Sequence, residues 1–309
     1  MTTVSRTRLA LAGLLLFAAA AHAQIRVFVS TDGNDNNPCT NANPCRHLQR
    51  GIDVVATGGQ VWIVDSGNFN AATVTVTKSV SIEVAPGQVA SIIAASGTPA
   101  MVINAPGGIV GLRNLVITDG LTGTSQDGII VNAATAVSVE NCLFADVSQD
   151  ALFALRNNAF IHVANTTFRN VNGWAVAAQS GPTIDVANSH LLHTEGAFAF
   201  GTDAGTTSTV SITDSTISDG TDGVFASANV RGATAQIFVT RSTIFGTTYA
   251  LDSESTSGTT LITVANSTVN HNQQAFYIVG AGATVKSLGN NYIADNVTET
   301  GVLTTAALR

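Results

Sequence analysis

The sequence predicts an all-β chain wound into a parallel β-helix, in which each turn, here called a coil, is built from three short strands. The first observation is an alternating phrase that recurs every 23 to 27 residues, as in residues 137–144 and 161–168. The second is a polar column at the centre of that phrase, and the third is a small residue followed by an apolar one where each coil begins. The polar column is Asn114, Asn141, Asn165, Asn188, Asp214, Arg241, Asn266 and Asn290. The small-apolar pairs are Ala100-Met101, Gly128-Ile129, Ala151-Leu152, Gly173-Trp174, Gly196-Ala197, Gly223-Val224, Ala250-Leu251 and Ala275-Phe276.

The composition agrees with strands and limits the partners. Only 11% of the 309 residues are charged, the formal net charge is -7, and the lysines are Lys78 and Lys286. Val, Thr, Ser, Asn and Gly favour strands and turns over helices. An acidic chain without a basic cluster is not expected to bind nucleic acid or an anionic membrane surface.

Residues 1–23 have the features of a cleavable secretory signal. Arg6 and Arg8 precede an apolar run over residues 9–21, and Ala21-His22-Ala23 forms a cleavage site. The run is too short to span a bilayer comfortably, and no later segment has the composition of a membrane span. The sequence therefore predicts a secreted or periplasmic protein.

Residues 24–60 are predicted to form an N-terminal cap. A short strand over residues 26–30 precedes a loop with Cys39 and Cys45, which an oxidising compartment would join in a small disulfide. Leu48 and Ile52 have the spacing of one amphipathic helix within residues 46–57, which ends near Gly58-Gly59. Such a helix would cover the open end of the strand stack.

The third cysteine, Cys142, follows the polar column directly. The equivalent residues of the other coils are Thr166, Ser189, Ser215, Ser242 and Ser267. A small residue in a repeated position favours a packed free thiol over a nucleophile.

The β-helix itself is predicted over residues 61–300, in roughly ten coils, with residues 301–309 as a C-terminal tail. The first coil is assigned strands at residues 61–64, 73–76 and 80–84. In the coil that begins at Asp127, the strands are residues 128–131, 137–139 and Leu143-Phe144. Alternation points Ile129, Val131, Val137, Val139 and Phe144 inward. The members of the polar column other than Arg241 are predicted to form an inward ladder of side chains bonded to one another and to turn backbone.

With these repeats, the chain resembles the secreted right-handed parallel β-helix proteins of the pectin-lyase-like superfamily. The likeness extends over about residues 26–300, and it includes the cysteine loop, the helix and the phrase at residues 77–82. It implies the right-handed fold, and it implies that a ligand would lie on the outer face of the first strand of each coil. It does not fix the activity.

That outer face is predicted to carry many large apolar residues. The first row is Ile130, Phe153, Ala175, Phe198, Phe225, Asp252 and Tyr277. The second row is Asn132, Leu155, Ala177, Phe200, Ser227, Glu254 and Val279. Exposed together, Ile130, Phe153, Phe198, Phe200, Phe225 and Tyr277 would form a patch for sugar rings or for a protein partner. Alternatively, the turn loops fold over them.

The turn that enters the same strand carries acids. Asp127 lies one coil from Asp150, and Glu195 lies one coil from Asp222, so each pair is separated by about one coil rise. Close carboxylates can form an acid and base pair of the kind used in glycoside hydrolysis, with His193 as a proton carrier. Alternatively, these acids bind Ca²⁺, or they cap turns. No other cofactor is expected.

The sequence therefore predicts an exported protein that binds a carbohydrate or a cell-surface partner through this face, without catalysis. The alternative is a carbohydrate-active enzyme, a glycoside hydrolase before a polysaccharide lyase. The motifs that the resemblance implies for polygalacturonases are missing, namely Asn-Thr-Asp, Asp-Asp, Gly-His-Gly and Arg-Ile-Lys. Arg156 and Arg169 are few for neutralising a polyuronate.

Overall fold

The computed structural model describes residues 24–120, 123, 126–156 and 158–306, and over these the chain forms a right-handed parallel β-helix of about nine turns. The predicted fold class is confirmed. Residues 1–23, predicted to be a secretory signal, lie outside the described residues. No helix in the described part of the chain has the length and apolar character needed to cross a membrane.

The strands, numbered β1 to β32 in chain order, form three parallel sheets that run along the helix axis. Sheet A contains β1 (Gln24–Val29), β2 (Val55–Ile63), β5 (Val80–Val84), β8 (Ile109–Arg113), β11 (Ala136–Glu140), β14 (Phe160–Ala164), β17 (Thr183–Ala187), β20 (Thr207–Thr213), β23 (Thr234–Thr240), β26 (Thr259–Ala265), β29 (Ala283–Ser287) and β32 (Thr304–Thr305). Sheet B contains β3 (Gly67–Asn68), β6 (Ala90–Ile93), β9 (Leu115–Thr118), β12 (Leu143–Val147), β15 (Thr167–Val171), β18 (His190–Leu192), β21 (Thr216–Ser218), β24 (Thr243–Phe245), β27 (Thr268–Asn270) and β30 (Tyr292–Ile293). Sheet C contains β4 (Val74–Val76), β7 (Met101–Asn104), β10 (Ile129–Ala133), β13 (Leu152–Leu155), β16 (Trp174–Gln179), β19 (Glu195–Gly201), β22 (Asp222–Ala228), β25 (Tyr249–Ser255), β28 (Gln274–Val279) and β31 (Thr298–Thr300).

The core is one apolar column enclosed by the three sheets. The predicted inward residues Ile129, Val131, Val137, Val139 and Phe144 are all buried. Phe144 and Phe168 stack inside neighbouring coils, with ring centroids 4.8 Å apart. Alternation in strands therefore predicts these core positions correctly.

The first coil differs from its prediction. Residues 80–84 form β5, which pairs directly with β2 in sheet A and so belongs to the next coil. The middle strand of the first coil is β3, whose two residues Gly67 and Asn68 carry no apolar alternation. The prediction was wrong because a strand this short leaves no periodic signal.

The N-terminal cap is built from β1, the helix α1 (Leu48–Val54) and the cysteine loop. Leu48, Gly51 and Ile52 are the buried residues of the helix. A Cβ placed on Gly51 would lie 2.9 Å from Cγ2 of Val29 and 3.0 Å from Cγ1 of Val61, so the helix packs closely on β1 and β2. The strand β2 starts at Val55, directly after the helix, and runs through the predicted Gly58-Gly59 stop.

The cysteines follow the prediction. Cys39 and Cys45 form a disulfide, with their Cα atoms 4.7 Å apart. Cys142 is a buried free thiol, and burial raises its pKa to about 11. A thiol held in this protonated state is a packing residue and a poor nucleophile.

The polar column does not form the predicted inward ladder. Asn141, Asn165, Asn188, Asp214 and Asn266 are exposed, while Asn114 and Asn290 are half-buried. Seven of its eight members have φ between 48° and 62°, the left-handed region, which Asn and Asp tolerate better than other L residues. The column repeats because the corner between sheets A and B requires this backbone conformation, and its side chains point outward.

The inward ladder lies one residue later, in the column of Thr166, Ser189, Ser215, Ser242 and Ser267. We call it the hydroxyl ladder. Each hydroxyl donates to the carbonyl two residues earlier, as Ser215 Oγ does to Thr213 O at 2.8 Å. It also accepts the N–H of its counterpart in the preceding coil, as Ser215 Oγ does from Ser189 N at 3.1 Å. The N–H groups of Cys142, Thr166, Ser215 and Ser242 find a hydroxyl acceptor in this way, and that of Ser267 donates to Asn291 Oδ1.

Candidate functional site

The outer face of sheet C carries two rows of side chains in parallel register. The first row is Ile130, Phe153, Ala177, Phe198, Phe225, Asp252 and Tyr277. The second contains Leu155, Gln179, Phe200, Ser227, Glu254 and Val279. The predicted binding residues Ile130, Phe153, Phe198, Phe200, Phe225 and Tyr277 are half-buried, so part of each side chain reaches solvent.

The predicted alignment of the coil that contains Trp174 was two residues out of register. Both Gly173-Trp174 and Ala175-Val176 match the small-apolar pair, and the structure aligns Val176 with Leu152 and Ala197. Ala177 therefore takes the place predicted for Ala175, which is fully buried. Trp174 was predicted to point into the core, but it is half-buried at the surface and joins the aromatic residues there.

The half-buried aromatic side chains of this face pack against one another. Trp174 stacks on Phe198 at 4.8 Å between ring centroids and lies 5.9 Å from Phe225. Phe198 lies 5.1 Å from both Phe225 and Phe200. We call these four residues the aromatic stack. The four rings form one compact cluster, because Trp174, Phe198 and Phe225 lie within 5.9 Å of one another and Phe200 packs beside Phe198.

The stack ends where Asp252 follows Phe225 in the first row. The next coil places Tyr277 after Asp252, and Tyr277 packs on Tyr249 with ring centroids 5.1 Å apart. The rows are spaced by one coil rise, about 4.8 Å. Asp252 is thus flanked by aromatic residues on both sides along the row.

A second column, which we call the turn column, lies just before the small residue at the start of the seven strands of sheet C from β10 to β28. It consists of Asp127, Asp150, Trp174, Glu195, Asp222, Tyr249 and Gln274. Asp127 Oδ1 accepts the N–H of Asp150 at 3.1 Å, and Asp150 Oδ1 accepts the N–H of Trp174 at 2.8 Å. These two acids cap the turns of successive coils. Burial raises the pKa of both, and that of Asp150 reaches about 6.

The other acids form a group that we call the carboxylate cluster, consisting of Glu195, Asp222, Asp252 and Glu254. Asp222 and Asp252 are 8% and 5% exposed. Burial, reinforced by the neighbouring carboxylates, raises the pKa of Asp222 to about 7 and that of Asp252 to about 8. Burial also raises the pKa of Glu195, which is hydrogen-bonded to Thr221.

Asp222 and Asp252 are hydrogen-bonded to each other through their side chains. Two carboxyl groups can share such a bond only when one of them carries the proton. Oδ1 of each residue is buried and receives no N–H or O–H from another described residue. The pair therefore retains a proton near neutral pH.

His193, the predicted proton carrier, lies in the turn before Glu195. Its backbone is left-handed, with φ 51°, its side chain is exposed, and its N–H donates to Ser218 O at 3.0 Å. His193, Glu195 and Thr221 all line a shallow depression beside the carboxylate cluster. Within the described ranges, no three His, Cys, Asp or Glu side chains are grouped so as to hold a metal ion.

A family model described as "Right handed beta helix region" matches residues 100–291, more than half of the chain. The chain belongs to this right-handed β-helix family. No curated protein matches this β-helix protein.

Solved structures share the fold at low sequence identity. XylC, solved in complex with xylose, aligns with a TM-score of 0.63 and 8% identity over 85% of this β-helix protein and 68% of XylC. A rhamnogalacturonan lyase aligns with a TM-score of 0.57 and 12% identity over 81% of this chain and 75% of its own. An alginate lyase from a Paenibacillus species aligns with a TM-score of 0.52 and 14% identity over 90% of this chain and 99% of its own. At these identities the likeness shows the fold alone.

Sequence reasoning about this β-helix protein missed three residues of the site. Trp174 was hidden by the duplicated small-apolar pair. Asp252 and Glu254 were placed correctly in the outward rows, but they were not connected with Asp222. The available signal was the interruption of an apolar row by two acids in alternate positions of one strand.

Proposed function

We propose that this protein binds a carbohydrate chain along the outer face of sheet C, at the junction of the aromatic stack and the carboxylate cluster. The observation that carries the proposal is the end of the stack, where Asp252 follows Phe225 in the first row and the carboxylate cluster begins. An aromatic face packs against the C–H groups of a sugar, and carboxyl groups beside it accept bonds from sugar hydroxyls. Known carbohydrate-active proteins with this fold make such a ligand the natural choice.

The binding test uses the chain from residue 24 onward on an array of neutral and charged oligosaccharides. Phe198→Ala and Phe225→Ala should each weaken binding about tenfold, equivalent to about 1.4 kcal/mol. Phe160→Ala is the matched control, because Phe160 is 48% exposed but lies on sheet A. Full binding by both sheet C variants, or no binding to any glycan by the folded protein, would refute the proposal.

A second candidate function is glycoside hydrolysis, and the shared proton of Asp222 and Asp252 favours it. Such hydrolysis needs a proton donor and a second carboxylate about 5 Å or more away, so the pair would supply the proton and Glu195 the second carboxylate. The earlier alternative pair, Asp127 and Asp150, is the weaker choice because both side chains accept turn N–H groups. Asp222→Asn and Asp252→Asn should then abolish reducing-sugar release from a bound glycan. Binding without any release by the unaltered protein would exclude hydrolysis of that glycan.

We also propose that the protein is located outside the cytoplasm. The disulfide of Cys39 and Cys45 supports this, because such bonds persist in oxidising compartments. Bound Ca²⁺ is a further proposal, and binding measured with and without a chelator tests it.

A further inference from the structure

We propose that the ligand of sheet C is a basic amino sugar, whose ammonium group is held by Asp222 and Asp252 between Phe225 and the tyrosine pair Tyr249 and Tyr277. This inference rests on the proposed carbohydrate binding and names the class of sugar. It separates this protein from a binder of acidic polysaccharides.

The charge of sheet C is of one sign. Its ten strands contain five acids, Glu195, Asp222, Asp252, Glu254 and Glu299, and they contain no Lys, Arg or His. Arg156, just beyond β13, is already paired, with its Nε 3.1 Å from Asp203 Oδ2. A polyuronate on this face would meet carboxylates without a free cation on the strands, whereas an ammonium group would be attracted.

The lack of an outside donor to the two carboxyl groups gives the second argument. Oδ1 of Asp222 and of Asp252 are buried and receive no N–H or O–H from another described residue, on side chains more than nine-tenths buried. A buried acceptor without a donor is unfavourable, so a ligand that donates to the pair is favoured. An ammonium group brings three donors and a positive charge, and a hydroxyl brings only one donor.

The aromatic side chains give the third argument. In the first row Asp252 lies between Phe225 and Tyr277, so an aromatic residue lies one coil rise away on either side of it. Cations bind over aromatic faces, and a carboxylate next to such a face strengthens the attraction. Glu195 on β19 and Glu254 on β25 face the same pair and add negative charge. The remaining groups around it, Tyr249 on β25 and Gln274 and Tyr277 on β28, carry no positive charge.

Binding should release a proton, because the ammonium replaces the one shared by Asp222 and Asp252. The ligand charge then neutralises the carboxylate that the proton had neutralised. Isothermal titration in buffers of different ionisation enthalpy measures this release directly. A neutral sugar that hydrogen-bonds to the protonated pair should release none.

The experiment compares three probes of equal length at pH 7 and low salt: a tetramer of β-1,4-linked glucosamine, its fully N-acetylated form and a tetramer of galacturonate. The glucosamine tetramer should bind at least tenfold more tightly than the acetylated form, and galacturonate should not bind. Asp252→Asn should reduce the preference for the free amine at least tenfold. Asp185→Asn, which removes the same charge from sheet A, should leave it unchanged.

The outcomes separate this inference from the function on which it rests. Equal binding of the two glucosamine forms, lost in Phe225→Ala, would overturn the ammonium site and keep carbohydrate binding. Tighter binding of galacturonate would overturn the charge argument. Failure of all three probes, together with a silent glycan array, would overturn the proposed function itself.

Discussion

At the scale of single residues, Asp252 is held in a protonated state that costs the folded chain stability at high pH. Its pKa is raised mainly by burial, to about 8, whereas an Asp of an unfolded chain titrates near 3.9. Between these values the folded chain retains a proton that the unfolded chain has released. The free energy of unfolding therefore falls by about 1.4 kcal/mol for each unit of rising pH across this window.

Asp252→Asn should remove the contribution of this residue, because the amide keeps the shape and cannot ionise. Denaturant unfolding at pH 4, 6 and 8 should show the variant more stable than the unaltered chain at pH 8 and equal to it near pH 4. Asp185→Asn is the control on sheet A and should show no gain at pH 8. A variant that is less stable at every pH would contradict the raised pKa.

A second prediction for single residues concerns the hydroxyl ladder at the corner between sheets A and B. Ser215→Ala removes the bond to Thr213 O and leaves the buried N–H of Ser189 without an acceptor. The free energy of unfolding should fall by about 1–3 kcal/mol. Asn188→Gly, in the exposed polar column, should change it by only a few tenths, because Gly adopts the left-handed conformation freely. Equal losses in both variants would contradict the assignment of the ladder.

At the scale of elements, the N-terminal cap depends on the seven-residue loop that the disulfide closes. The disulfide at Cys39 and Cys45 lies next to β1, with Phe28 N–H donating to Cys39 O at 2.8 Å and Cys45 N–H donating to Phe28 O at 3.0 Å. The disulfide therefore holds in place the loop backbone that hydrogen-bonds to β1. Loss of the disulfide should destabilise the N-terminal end of the β-helix before any other part.

Replacing both residues, in Cys39→Ser/Cys45→Ser, should lower the stability of the cap by about 2 kcal/mol on loop entropy alone. Hydrogen exchange should rise in β1 and α1 and stay unchanged in the central coils. The single variant Cys142→Ser keeps the disulfide and is the control for the change of chemistry. Uniform loss of protection along the chain would show that the cap is not a separate unit.

At the scale of the whole molecule, each coil contacts chiefly its neighbours, so stability is a sum over coils and their contacts. Phe168 is fully buried and stacks on Phe144 of the preceding coil. Phe168→Ala should cost about 3–5 kcal/mol by leaving a cavity. Hydrogen exchange should increase most in β12 and β15 and fall off with distance along the axis. Phe160→Ala, on the exposed side of the same coil, should leave exchange nearly unchanged.

The same modular logic decides what could be predicted from sequence. Period and alternation predict the fold and the core, because both depend on repeated backbone geometry. They cannot tell Asn165 from Thr166 as the inward residue, since both columns repeat at the same interval and only the left-handed φ distinguishes them. They cannot decide whether Trp174 or Val176 is the inward residue of its coil, because two small-apolar pairs lie two residues apart. The pairing of Asp222 with Asp252 depends on a diagonal contact between coils, which no local pattern contains.

The hydroxyl ladder has a consequence for how such a chain changes in length. Each coil donates one N–H to the hydroxyl of the following coil and accepts one N–H from the preceding coil. The same hydrogen bond therefore forms at each of these junctions. A duplication or deletion that begins and ends at equivalent serines, such as Ser215 and Ser242, therefore rejoins a donor to an acceptor of the same kind. Unequal recombination within the gene can lengthen or shorten this protein by whole coils while the hydroxyl ladder keeps its hydrogen bonds.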